Sequence, residues 1–528
     1  MERGRTNFDG HWQEVRDNIN PEGSDFTTSR APGTKSRTGI NDNTAEDAAE
    51  MMANGLHGIM TSPARRWFSI RAKRELLNEI PHVARWLQHA TRITATYFSS
   101  PEHGFHQAAA EAYGDLTLYG NEGIFIGEIP GFGPLFQARP LRELFIGEND
   151  KGQVDTVYRN FQMSARQAVL QFESKAGAKI IKANNDPKTR EQQFPFIHAT
   201  EPREDFTGGG IGGMNMPWAS VYINKAEKIV VRESGFPEFP WAFGRWKKRA
   251  GELYARSAGT KALPDVKMLQ RMARATIRGA EKIIDPSLMV PDDGVFGNVR
   301  MSVSGITTVR ADLMAMRRDP IRPITSGARP DLGEDLMESV RNRIRRAFYN
   351  DLFRMFEDPR LTATQVLQEV EEQLRILGPF LGRLEAEKLD RLIKRSVAIL
   401  LRMGVFPPVP PELAGETLEI EYQSPIARAQ RFTEARAITA TFSLVAPIGE
   451  IQPEIYDNID GDKIFSVAAR MFDFPMDTVR DPRLVRQIRQ ARHETESNQM
   501  MKEDVIAGAG ALAKVIPAMG GREVANAA

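Results

Sequence analysis

The chain contains no cysteine. That excludes disulfides, thiolate metal sites and cysteine nucleophiles together, and it fits assembly in a reducing compartment. No run approaches the roughly 18 apolar residues that a membrane span needs. The opening Met1-Glu2-Arg3-Gly4-Arg5-Thr6 leads into polar sequence without an apolar core, so no secretory signal is expected. An excess of one charge is missing too: 70 basic side chains stand against 69 acidic ones, a formal net charge of +1. Proteins that grip DNA tightly through its phosphates carry a clear basic excess. Any contact with DNA is therefore expected to be loose or confined to a local patch.

The common catalytic motifs are absent as well. There is no GxxxxGK[ST] phosphate loop, no HExxH pair and no GxSxG elbow. Gly208-Gly209-Gly210-Ile211-Gly212-Gly213 lacks a following Lys-Ser/Thr and reads as a flexible loop. Asp292-Asp293-Gly294 lacks the remaining ligands of a calcium loop. His103 and His106 lie three apart in a helical stretch and could share a metal, but two surface imidazoles is the plainer reading. Acidic pairs such as Glu371-Glu372 fit charged helical faces. The expectation is a protein without metal, cofactor or catalytic residues, and not an enzyme.

What remains is an ordinary globular composition, 41% hydrophobic and 26% charged over 528 residues. That length suggests two to four domains. Residues 1–43 are polar and read as an irregular arm. Asn43 or Thr44 can cap a helix over Ala45–Thr61. Arg74–Phe98 and Glu102–Tyr119 carry apolar residues at helical spacing, and Pro81 either kinks the former or opens it. The pattern then turns to strands over Gly123–Glu128, Leu141–Glu148 and Val154–Phe161. Asn149-Asp150-Lys151-Gly152 makes the last two a hairpin. Ser164 can cap a helix to Phe172; Phe196–Glu204 and Val221–Arg232 look like further strands. No internal repeat is present.

Two long helices are expected around residue 300. The first, Pro264–Ile284, opens on Pro264 and Asp265. Lys267, Arg271, Arg274, Arg278 and Lys282 fall on one stripe of it, opposite Leu269, Met272, Ala273, Ile277, Ala280 and Ile284. Only Asp265 and Glu281 offset these five cations. Like charges three or four apart repel, so either a neighbouring subunit's acids or a polyanion should face them. Asp285–Asp331 shows little periodicity. The second long helix is Leu332–Phe356, with acids early and arginines late, as the helix dipole favours. Leu361–Leu377 and Phe380–Met403 follow as helix, interrupted at Gly378-Pro379; then come a strand at Leu418–Tyr422 and helices over Ser424–Val445, Asp462–Met471 and Arg483–Thr495. The fold class expected is mainly α with a minor β component, α+β.

This order of motifs resembles the head-to-tail connector (portal) family of short-tailed bacteriophages over about residues 45–495. The run Gly55-Leu56-His57-Gly58-Ile59-Met60-Thr61-Ser62-Pro63, then Arg66-Trp67-Phe68, is similar to the family's small-residue helix, Thr-x-Pro and Trp-Phe. Asp115–Gly120 before Ile124–Ile126, and Asp150–Asp155 before Tyr158-Arg159, resemble its helix-to-strand step and its hairpin. Ala262-Leu263-Pro264-Asp265-Val266-Lys267 resembles the lead-in to a stem helix, and Glu421–Gln430 a late strand-to-helix step. Ala255-Arg256-Ser257-Ala258-Gly259 departs from the more glycine-rich run of the family.

The resemblance implies a portal fold with wing, stem, clip and crown, assembled as a ring: an N-terminal arm at 1–43, wing segments at 44–263 and 357–475, stem helices at 264–284 and 332–356, a clip at 285–331, and crown and tail at 476–528. It implies a twelve-fold ring at a capsid vertex of the virion, put together in the host cytoplasm. The partners implied are further copies of the chain, the major capsid protein, the terminase large subunit, a tail adaptor, internal core proteins and double-stranded DNA in transit, with no membrane. Arg383, Arg391 and Lys394, beside the Gly378-Pro379 break, are the candidates to meet DNA in the channel; salt bridges to Glu385, Glu387 and Asp390 are the competing assignment. The Lys267-to-Lys282 stripe is the second candidate surface. The rival readings are a scaffold or internal ejection protein and, further off, a nucleic-acid-processing enzyme. The first should be more helical, the second should carry membrane-active helices, and the third needs a carboxylate metal cluster or a phosphate loop.

Overall fold

The computed structural model of the chain describes residues 1–292 apart from 29, 32, 38 and 207–211, then 306–310, 322–323, 330–354 and 377–422, with shorter stretches between 437 and 497. Its contacts separate two units. The larger comprises residues 1–70, 89–408 and 419–431, and the smaller 71–88, 409–418 and 432–528.

The larger unit starts where an irregular arm was expected. Glu2–Ile19 is a helix, α1. Phe8, Trp12, Val15 and Ile19 recur at four- and three-residue spacing, and Trp12, Val15 and Ile19 are buried. Trp12 Nε1 donates to the Tyr119 carbonyl at 3.1 Å. Arg5, itself buried, donates to the carbonyls of Leu141 and Arg142 at 3.1 and 2.9 Å. The general polarity of residues 1–43 hid this apolar stripe.

Helix α2 is Thr44–Met60; its N-cap Asn43 makes no side-chain bond, and Asp42 Oδ1 instead accepts from the Thr44 N–H at 2.9 Å. After β1 (Phe68–Ala72), Pro81 opens α3 (Pro81–Ser99). Helix α4 is Phe105–Tyr119 and ends at Gly120, whose φ is 79°. A Cβ on Gly120 would lie 2.7 Å from the Arg256 carbonyl carbon, so both conformation and space demand glycine.

Two antiparallel sheets follow. One has the order β3-β2-β9, with β2 Asn121–Ile129, β3 Gly133–Arg139 and β9 Trp241–Arg245. The other runs β4-β5-β6-β7-β8: Leu144–Glu148, Val154–Ser164, Gln193–Pro202, Trp218–Asn224 and Ile229–Phe236. The expected hairpin is β4–β5, pairing Leu144 with Arg159. The single strand expected over Val221–Arg232 is instead the β7–β8 hairpin. Lys228 takes φ 56° in its turn, and Asn224 Oδ1 accepts from the Ala226 N–H at 3.0 Å. Ser164 caps α5 (Ala165–Phe172) in a reciprocal capping box with Gln167. That helix and α6 (Ala178–Asn185) pack Ala168, Phe172 and Ile180 onto Phe161, Phe196 and Val231 of the larger sheet.

The first long helix, α7, is Ala258–Ile284. It starts at Ala258, not Pro264, because Ser257 Oγ accepts from the Thr260 N–H at 2.8 Å and serves as the cap; Pro264 lies inside the helix. The second, α8, is Pro330–Ala347, and a short helix Asn350–Arg354 follows. The expected continuous helix Leu332–Phe356 breaks at Tyr349, where φ is 57°. Between the two helices the chain is not wholly irregular. Strand β10 (Leu288–Asp292) pairs parallel with β11 (Ile306–Arg310) and antiparallel with β12 (Arg322–Pro323). Leu361–Ile376 lies outside the described residues, as do Gly208–Ile211 and Ser424–Arg436.

From 377 to 402 the chain is helical throughout, with Gly378-Pro379 in its first described turn; the residues before 377, from which the break was expected to separate it, lie outside the described ones. A π turn at Glu385–Leu389 leads into α9, Asp390–Arg402. Strand β13 is Leu418–Tyr422, as expected.

In the smaller unit, Asn78 clamps Ala72 through both its amide atoms at 2.9 Å, and His82 meets Glu412 at 3.0 Å. Gly461–Met471 is helical, and Arg489 forks onto Asp462 with two 2.7 Å bonds. Among the described residues no helix is long and apolar enough to cross a membrane.

Candidate functional site

Two features of the larger unit concentrate charge. The first is the pair α7 and α8. Gly333 lies against Thr276, and Arg343 meets Asp265 at 3.0 Å, so the two helices run antiparallel. Helix α7 has 27 residues and is about 40 Å long. Its buried residues stop at Ala273. Beyond that point Ile277, Ile283 and Ile284 are exposed, Ile284 at 83%. The end of α7 from Arg274 to Ile284 therefore extends past the core that holds its base. The cationic stripe runs along this rod. Lys267 is paired with Glu14 at 2.7 Å. Arg271, Arg274 and Arg278 are exposed, and among the described residues they and Lys282 have no ion-pair partner.

The second feature is the 377–402 helix, which is fastened to the small sheet by charged side chains along its length. Glu387 receives two bonds from the buried Arg245, at 2.8 and 2.7 Å. Lys388 meets Glu122 at 2.8 Å, both side chains fully buried, and its ammonium lies 3.7 Å from the centre of the Tyr113 ring. Burial works against the charge on Lys388, but the Glu122 carboxylate holds its pKa above the ordinary lysine value. Arg395 donates to the Ile126 carbonyl at 3.0 Å and the Glu238 carbonyl at 2.7 Å; burial brings its pKa down to about 10. Arg402 reaches Glu128 at 2.8 Å.

The three channel candidates on this helix have different surroundings. Lys394 is exposed and pairs with Asp390 at 2.9 Å. Arg391 donates to the Val154 carbonyl and lies 5.1 Å from the Phe239 ring centre, with its pKa lowered by burial. Arg383 is half-buried, and its Nη1, shut off from solvent, has no hydrogen-bond partner among the described residues. Arg383 and Arg391 line one cavity; Lys394 is not part of it.

Reading of the sequence missed the buried ions Glu122, Arg245, Lys388 and Arg395. Each lies in a run that looks like an ordinary amphipathic or polar segment; the one available signal was a charge on the apolar side of the 385–402 pattern. The histidine expectation also needs correcting. His103 stands on a 3-10 turn before α4, is buried, and contacts the Pro134 carbonyl through Nδ1 at 2.8 Å. His106 faces His57 instead, with Nδ1 and Nε2 3.3 Å apart. Burial, with His106 and Lys388 nearby, lowers His57 to about 4. Among the described residues no group of three or more His, Asp or Glu side chains could hold a metal ion.

An antiparallel pair of long helices with a cationic edge stands on an α+β body. The family profile for bacteriophage head to tail connecting proteins matches residues 1–479, and the chain belongs to that family. It is similar to the probable portal protein of Bordetella phage BPP-1, 30% identical over 97% of this chain and 92% of that protein. It is also similar to the portal protein of Salmonella phage epsilon15, 28% identical over 89% of this chain and 85% of that one. The motif order read from the sequence had pointed to the same family.

Proposed function

We propose that copies of this chain assemble into the portal ring at one vertex of a phage capsid, twelve-fold in the virion, through which double-stranded DNA is packaged and ejected. The carrying observation is α7. Its end from Arg274 to Ile284 has no buried residue, yet Ile277, Ile283 and Ile284 stand exposed on it. Apolar side chains grouped on a rod mark a surface that another chain covers, and a heterologous contact between identical chains forms a ring when its rotation closes on itself. In this reading α7 and α8 form the stem and the segment between them the clip. Residues 44–263 and 357–475 form the wing, residues after 476 the crown, and α1 belongs to the wing body.

The near-neutral charge supports a conduit. Electrostatic grip scales with the number of phosphates neutralised, and a sliding duplex requires that number to be small. Arg271, Arg274 and Arg278 on the stem and Lys394 on α9 are the cations best exposed to meet DNA or a partner. The ring would dock the major capsid protein at its rim, and the terminase and then a tail adaptor at the clip. The chain would act as a structural component of the virion without catalysing a reaction, a reading that the names of its relatives support.

Native mass spectrometry with negative-stain microscopy of the purified chain tests this. Rings of about twelve copies with a central hole are expected. A monomer or dimer at every concentration would overturn the conduit.

A further inference from the structure

We infer that the cavity between Arg383, Arg391 and Lys151 is a binding pocket for a single phosphate-class oxyanion. The cavity measures about 290 Å³ and lies within one chain. Its walls are the β4–β5 hairpin loop, Phe243 of β9 and one side of the 377–402 helix.

The charge inside it is unbalanced. Three cations line the cavity, Lys151, Arg383 and Arg391, against one carboxylate, Glu387. That carboxylate is already committed, because Arg245 occupies both of its oxygens at 2.8 and 2.7 Å. The other acids near Arg391 are engaged as well. Asp390 holds Lys394 at 2.9 Å, and Asp155 accepts from Thr156 Oγ1 at 3.0 Å. Arg383 is left with a guanidinium nitrogen sealed from water and without an acceptor. Arg383 also has no ion-pair partner among the described residues, and the part of its guanidinium that lines the cavity can give an incoming oxyanion a charge-assisted bond.

The π turn explains how two arginines eight positions apart share the cavity. On an uninterrupted α-helix such residues are about 80° out of register. The wider Glu385–Leu389 turn advances less per residue, and this lag returns Arg391 toward the face of Arg383. The opposite wall is held in advance of any ligand. Asn149 Oδ1 accepts from the Lys151 and Gln153 N–H groups at 3.0 and 2.9 Å, and Gly152 takes φ 72°. Its carbonyl accepts from Arg245 Nη2 at 2.9 Å, which ties the loop to the same guanidinium that neutralises Glu387.

A phosphate group can come from free phosphate or from a DNA phosphodiester. The test uses the full chain at constant ionic strength, because screening alone would mimic an effect. Inorganic phosphate is titrated by calorimetry and by thermal melting, and a short DNA duplex is then added as competitor. Saturable phosphate binding at one site per chain is expected, weakened at least about tenfold in Arg383→Gln. The ligand-free variant should melt no lower than the parent, since it loses an unmatched donor. Should it fail to fold, Lys151→Gln at the exposed rim replaces it, with an expected severalfold weakening. Displacement of phosphate by the duplex assigns the site to DNA; phosphate binding that the duplex leaves unchanged assigns it to a small anion. Phosphate and duplex responses identical in parent and variants would overturn the inference. Because the pocket is built within one chain, this result is independent of whether rings form.

Discussion

Lys388 and Glu122 face one another at 2.8 Å, and neither side chain reaches solvent. A buried ion pair contributes little net stability compared with an apolar pair of the same shape, but removing one partner strands the other charge. Lys388→Met or Glu122→Leu alone should therefore lower stability by about 3–5 kcal/mol. The double change Lys388→Met with Glu122→Leu should restore most of that loss. Denaturant melts of the three variants decide it; additive losses in the double variant would show that the pair is not the source.

Helix α1 should behave as part of the core. Trp12 is 1% exposed and its indole N–H is bonded to Tyr119. Trp12→Ala should cost about 3–5 kcal/mol. Removing residues 1–19 should lower the melting temperature of the remaining chain rather than leave it unchanged, as loss of a free arm would. Thermal melts separate the two.

Burial, with Arg159, Arg139 and Arg232 adding, pushes His198 down to about 3. Its ring stacks on Tyr222 with centroids 4.0 Å apart, and Nε2 contacts Ser220 Oγ at 3.0 Å. The folded state thus binds the proton more weakly than the unfolded state, whose histidine titrates near 6.5. Stability attributable to His198 is full above that value and falls as the pH drops toward 3. Moving from neutral pH to about 4.5 should cost about 2–3 kcal/mol at this residue. His198→Gln should lose that much less over the same step in urea melts; an unchanged difference would contradict the assignment.

If the outer end of α7 is covered by a neighbouring copy, Ile277→Ser with Ile284→Ser should abolish rings. The stability of the isolated chain should change by less than about 1 kcal/mol, since both side chains are exposed in it. Size-exclusion chromatography with light scattering reads the first effect and thermal melting the second. Intact rings in this variant would place the subunit contact elsewhere.

Charge reversal of Arg271, Arg274 and Arg278 should leave the fold intact, because all three are exposed on α7. Assembled rings carrying the change should bind a DNA duplex with a shallower salt dependence if the stripe faces DNA. An unchanged slope would assign the stripe to protein partners.

Local pattern alone was enough for α2, α4, the β4–β5 hairpin, the Ser164 cap and the projecting α7. Each rests on periodicity, a turn signal or a capping residue acting within a few positions. The cationic stripe of α7 was legible for the same reason, because spacings of three and four fix a face wherever the helix lies. The family, too, could be read from the order of motifs. The tertiary structure decided the rest. It buried α1, whose apolar stripe is diluted by polar residues and acquires a partner only in Tyr119 and Tyr254. It set β9 beside β2, a pairing between residues more than a hundred positions apart that no local rule encodes. It turned Lys388, Arg245 and Arg395 inward, where only a distant carboxylate or carbonyl makes a charge tolerable. And it set a π turn at Glu385–Leu389, in the stretch where Glu387 and Lys388 reach Arg245 and Glu122, which no local pattern of the helix announces.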